Sequence, residues 1–177
     1  LGPAGPAATG TWNADGDILF IGGPANPLLR IAASGGGAEE AVPLSELHAA
    51  IRFPHFLPDG RHFLFMSLAG SAPGTYLASL DGMSPVRLTT DLGQLEYLPS
   101  GWLLINRTNT LIAQRLDLDQ AALVGEVVTV ADTVGGFSAS ATGLVAYRGV
   151  QGGGPQLNWR DRSGKLLGSV GDPGERH

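Results

Sequence analysis

The stretch FPHFLPDGRHFLFM, Phe53 to Met66, sets a Pro-Asp-Gly turn between two apolar runs. Proline fixes φ, aspartate bonds the backbone two residues on and glycine accepts positive φ, so the three together make a tight reversal. The flanking runs are aromatic and aliphatic and read as two strands of a hairpin. A single hairpin is compatible with many folds. Its recurrence along the chain decides between them.

Gly16, Gly60, Gly101 and Gly143 recur at a spacing of about 42 residues, each followed by a dense apolar run: ILFI (18–21), FLFM (63–66), WLLI (102–105) and LVAY (144–147). The approaches also match: TWNADG (11–16), HFLPDG (55–60), EYLPSG (96–101) and FSASATG (137–143) each carry an aromatic residue ahead of a polar turn. A further run follows in each copy, LLRIAA (28–33), TYLASL (75–80), LIAQRL (111–116) and QLNWRD (156–161). Last come AVPL (41–44), VRLT (86–89), VVTV (127–130) and LLGSV (166–170). Four short strands per period of about 42 residues is the pattern of a β-propeller blade. The second run of each copy is continuously apolar rather than alternating, as expected of a strand covered on both faces. The expectation is therefore an all-β propeller segment spanning 1–177, with four-stranded antiparallel blades near 9–44, 52–90, 94–130 and 137–170.

Composition agrees. Twenty-seven Gly and twelve Pro in 177 residues supply frequent reversals, and 43% hydrophobic residues can bury a core. A net charge of −5 with a single lysine, Lys165, offers no basic stripe for nucleic acid. The absence of cysteine excludes disulfide and thiolate chemistry. No apolar run reaches the roughly 20 residues of a membrane helix, so direct membrane insertion is not expected. The chain starts at Leu1 rather than Met and carries no signal-peptide pattern, which reads as a processed product or an excised piece.

At NADG (13–16) and LPDG (57–60) the chain resembles the TolB-like propeller repeat, and FPHFLPDGRHFLF is the nearest copy. The wider order, with YLPSGWLLI (97–105), TGLVAYR (142–148) and LNWRDRSGKLLGSVGDPGE (157–175), is similar to the propeller region attached to bacterial serine/threonine protein kinases and transcriptional regulators. The third and fourth turns depart from the pattern, since LPSG lacks the Asp and SATG lacks both Pro and Asp. The resemblance implies a bacterial sensing or protein-contact module, extracytoplasmic in position. It carries no kinase chemistry, because no phosphate loop, His-Arg-Asp loop or Asp-Phe-Gly is present. TolB-like rings close with six or more blades, so four blades imply part of a larger ring, a compact closure, or self-association through the end blades.

Chemistry-bearing residues are sparse. His48, His55 and His62 recur every seven residues, but spacing alone does not make a zinc site, and no metal or cofactor is assigned. Asp15 and Asp59 precede turn glycines, where a carboxylate bonds backbone amides. GFSAS (136–140) misses the nucleophile elbow, and NRT (106–108) reads as a turn. In a closed ring the first strand of each blade lines the channel, which makes Arg52, His55, Gln94, Glu96 and Ser138 the candidate ligand-binding residues. The favoured function is a non-catalytic module contacting a protein partner or small ligand. The alternatives are a hydrolase or lyase acting at the channel mouth, or purely structural blades of a larger ring.

Overall fold

The computed structural model describes residues 9–22, 27–42, 51–68, 72–140, 142–150, 157–161 and 163–170. Within them lie four antiparallel sheets of four strands each, and every sheet is a meander in chain order. The first holds β1 (Gly10–Trp12), β2 (Asp17–Ile21), β3 (Leu28–Ala32) and β4 (Glu39–Glu40), and the second β5 (Ile51–Phe56), β6 (His62–Ser67), β7 (Gly74–Ser79) and β8 (Val86–Thr89). The third holds β9 (Leu95–Leu98), β10 (Trp102–Arg107), β11 (Thr110–Asp117) and β12 (Ala122–Ala131), and the fourth β13 (Val134–Ala139), β14 (Val145–Gly149), β15 (Leu157–Arg160) and β16 (Leu166–Val170). The chain divides into two compact units, Leu1–Leu92 and Gly93–His177, with two sheets in each.

The opening hairpin of every sheet is built as its sequence requires. Gly16, Gly60, Gly101 and Gly143 all take positive φ, between 69° and 89°, a region that penalises a Cβ. The side chains that secure the turns differ. In the second sheet Asp59 Oδ1 accepts from the amides of Arg61 at 3.0 Å and His62 at 2.9 Å, while Oδ2 lies 2.5 Å from His62 Nδ1. In the first, Asn13 takes this part instead of Asp15: its Oδ1 accepts from the Asp17 amide at 2.7 Å. Asn13 is buried and two positions closer to the strand end, whereas Asp15 is exposed at the tip. In the fourth, Ser140 Oγ accepts from the Leu144 amide at 3.1 Å, so a hydroxyl replaces the missing Asp.

Two further boundaries differ from the expectation. The fourth strand of the first sheet is Glu39–Glu40, earlier than AVPL; Val42 is 2% exposed and docks into the core instead of extending the edge. Residues 43 and 44 lie outside the described residues, as does His48. β12 is longer than VVTV, and Gly125 within it takes φ +72° beside a break in the pairing register with β11.

In the first unit Leu19, Ile21 and Leu28 of the first sheet pack against Phe56, Phe63, Phe65 and Tyr76 of the second. Every residue of β6 and β7 is buried, as continuous apolar runs require when both faces are covered. Phe65 stacks on Tyr76 with centroids 5.5 Å apart and planes 13° from parallel.

Burial raises the Asp59 pKa, but the hydrogen bonds from the His62 ring and from the His62 and Arg61 amides outweigh it, leaving the carboxyl below its ordinary value. Its contribution is therefore present above the usual carboxylate range and lost as pH falls through the folded value. Asp59→Ala is expected to lower stability at pH 7 by about 1–2 kcal/mol. It should also flatten the acid limb of a stability-against-pH curve below about pH 4. Wild-type and variant curves that superimpose in urea titrations would show the turn does not depend on the carboxylate.

Candidate functional site

The two sheets of the second unit face each other, and Leu104, Leu111, Ala113, Val134 and Phe137 close most of the space between them. A cavity of about 460 Å³ remains, lined in part by residues of the β9–β10, β13–β14 and β15–β16 turns. Its origin is a difference in side-chain volume at the sheet interface. In the first unit Phe63 pairs with Ala78 and Phe65 with Tyr76. In the second, Val145 pairs with Arg160 and Tyr147 with Asn158. Valine fills less of the interface than phenylalanine, and an arginine beside it keeps its charged head at the edge while its stem lies along the apolar wall.

The cavity has two kinds of surface. Leu104, Ala113 and Val130 line it further along the strands, whereas Ser100, Arg115, Val145, Arg160 and Asp161 stand at the turn end. Arg115 lies opposite Trp102, the first residue of β10, and Arg160 opposite Val145, the first residue of β14, so both guanidiniums arrive at strand ends. Each is stacked on an aromatic ring. The Arg115 Cζ lies 4.7 Å from the Trp102 centroid and the Arg160 Cζ 5.4 Å from that of Tyr147. Each also donates one hydrogen bond to a turn carbonyl, Arg115 Nη1 to Ser100 O at 2.6 Å and Arg160 Nη1 to Gly164 O at 2.5 Å. Asp161 turns its Oδ1 into its own loop, accepting from Ser163 N at 2.8 Å, Ser163 Oγ at 2.6 Å and Lys165 N at 3.1 Å. The Ser163 hydroxyl leads the bonds that hold its pKa below the ordinary value against the effect of burial.

The residues singled out in the sequence lie elsewhere. Arg52 is half-buried and donates to the neighbouring Ile51 carbonyl at 2.8 Å, and His55 is exposed opposite Leu64. Between them Phe53 takes φ +52° at a break in the β5–β6 register. Gln94 and Glu96 act on the protein backbone. Gln94 accepts from the Phe137 amide at 3.1 Å and returns a bond from Nε2 to the Phe137 carbonyl, while Glu96 Oε2 accepts from the Ala139 amide at 2.9 Å. Ser138, on the same strand, is exposed opposite Ala146. None of the five lines the cavity. Reading the sequence missed Trp102, Arg115, Tyr147 and Arg160; the available signals were an arginine near the end of two third strands, and LVAY where the second copy has FLFM.

The same backbone-directed device serves the first unit. Thr9 Oγ1 accepts from the Phe53 amide at 3.3 Å and Thr11 Oγ1 from the Phe56 amide at 3.2 Å. In both units two side chains spaced by two, one immediately before and one on the first strand of a sheet, satisfy outward amides on the first strand of the next. The β5 bulge explains why the amides served there are three residues apart rather than two.

No protein-family model matches the sequence, and no curated protein does. Solved structures do match in shape. TolB from Acinetobacter baumannii superposes with a TM-score of 0.63 at 20% identity, covering 90% of this chain and 43% of that one. Regucalcin, a calcium-binding protein from Agrobacterium tumefaciens, gives 0.61 at 15% identity over 90% of this chain and 58% of its own. A puromycin hydrolase gives 0.65 at 15% identity, covering 92% of this chain and 30% of that one. The sheets are built like propeller blades. At these identities the likeness concerns the fold, and the chain spans less than half the length of the Acinetobacter TolB.

Removing the Glu96 carboxylate leaves the Ala139 amide without its acceptor. Glu96→Ala should then lower the stability of the second unit by about 1–3 kcal/mol, whereas Ser138→Ala should change it by no more than about 0.5 kcal/mol. Denaturant unfolding followed by tryptophan fluorescence measures both, and equal effects would contradict the assignment.

Proposed function

We propose that this chain is a non-catalytic binding module that takes a small organic ligand in the cavity of its second unit. The observation that carries the reading is the cavity itself: about 460 Å³, within the size range of ligand sites, mostly apolar and bordered by a few convergent polar groups. The arrangement favours holding over reacting. Ser100, Trp102, Tyr147, Asp161 and the two arginines carry the polar side-chain groups of its described lining. Asp161, the one carboxylate among the described lining residues, commits Oδ1 to its own turn, and among those residues no nucleophile and base are hydrogen-bonded to each other as covalent catalysis requires. Resemblance to propeller regions of bacterial signalling proteins suits a module whose occupancy an attached domain could read. That part of the proposal rests on sequence likeness alone.

Filling the cavity tests this. Ala113→Phe places a ring where the interior is open. Ligands that bind the native state raise the unfolding temperature according to their concentration over Kd. In a thermal-shift screen of small apolar and amphiphilic compounds, those that stabilise the wild type should leave Ala113→Phe unmoved. Compounds that protect both proteins equally, or a screen in which none protects the wild type, would count against the proposal.

A further inference from the structure

Resting on that reading, we infer that the ligand is an amphiphilic organic anion, with its head between Arg115 and Arg160 and its apolar body along Leu104, Ala113 and Val130. Three observations converge. The cavity is graded along its strands, since its cations stand at the turns while Leu104, Ala113 and Val130 lie further in. Two guanidiniums face it against one carboxylate, and that carboxylate has an oxygen drawn into the Asp161–Lys165 turn. Finally, the protein leaves the cations short of acceptors. Among the described residues neither arginine is in an ion pair, each donates to one backbone carbonyl, and the Arg160 Nε is buried with no acceptor. A buried donor without a partner is costly, and in a native protein such a group calls for an acceptor or another explanation.

A carboxylate supplies what is missing. Its two oxygens match the planar guanidinium fork, and charge-assisted bonds of that kind are about twice as strong as neutral ones. Trp102 and Tyr147 hold the two forks by stacking on their faces, which leaves the edges to make hydrogen bonds. A turn of the Arg160 side chain over the Tyr147 ring would bring its Nε edge to the head group. The first unit provides the contrast: at the corresponding hairpin end Phe63 pairs with Ala78, and the interface is packed with no cation. A neutral apolar ligand would gain from the interior alone and leave both arginines as they are.

The test uses a matched pair, 1-naphthaleneacetate and its neutral amide, titrated calorimetrically into the full chain at pH 7 and low salt. The expected result is at least a tenfold tighter Kd for the carboxylate. In the Arg115→Met, Arg160→Met double variant, which keeps the apolar stems, that preference should collapse to about twofold or less while the amide binds as before. Arg160→Lys should retain part of it, since the charge survives without the fork. Equal affinities for acid and amide in the wild type would overturn the anion inference and leave the cavity reading standing. Failure of both compounds to bind at millimolar concentration would overturn the cavity reading as well.

Discussion

Each unit depends on a bond pattern easily overlooked beside its apolar core: side chains on or immediately before the first strand of one sheet satisfy the outward backbone amides on the first strand of the next. A first strand is a sheet edge, and its free amides demand acceptors. Gln94 and Glu96 supply them to Phe137 and Ala139, and Thr9 and Thr11 supply them to Phe53 and Phe56. The bonds tie strands that do not belong to one ladder, so they set the relative position of two sheets in a way that non-directional apolar contact cannot. The polar character of these positions is structural. A carboxylate or an amide on an inner strand is as consistent with joining sheets as with meeting a ligand, and the two uses compete for the same lone pairs.

With the sheets positioned by their first strands, the volume of the facing side chains decides whether the interface closes. Phe63, Phe65 and Tyr76 close it in the first unit. Val145 and Ala113 do not close it fully in the second, and the arginines opposite the first residues of β10 and β14 hold the turn end open. A packed interface and a hollow one thus arise from the same hairpin architecture by substitution at a few paired positions. The cost of the hollow is lost dispersion and apolar burial, which is tolerable when aromatic stacking and stem packing recover part of it.

The turns show the same economy of means. Positive φ at four glycines gives four equivalent reversals, and in the first, second and fourth Asn13, Asp59 and Ser140 secure the turn with an amide, a carboxylate and a hydroxyl. What the geometry requires is an acceptor oxygen at the right distance from the following amides. Its chemical identity is free, which is why the departure at the fourth turn left that hairpin intact, while the third turn is closed by the Gly101 amide donating to the Leu98 carbonyl at 2.9 Å.

The sequence by itself determined the repeat, the strand-turn-strand order and the sheet class, because these follow from local constraints: positive φ at Gly16, Gly60, Gly101 and Gly143, and runs of apolar side chains long enough to cover both faces of a strand. It also marked Asp59 as a turn residue from its neighbours alone. Only the tertiary structure decided what the inner-strand polar residues and the third-strand arginines do. Gln94 reaches a strand 43 residues away, and the cavity joins side chains of two sheets whose separation is set by those contacts. Arg115 and Arg160 could be recognised as a pair only across that space, since neither has a sequence neighbour that reveals it. Local conformation is a property of a few adjacent residues and can be read from them, whereas a binding site is a coincidence of distant ones and exists only once the sheets have met.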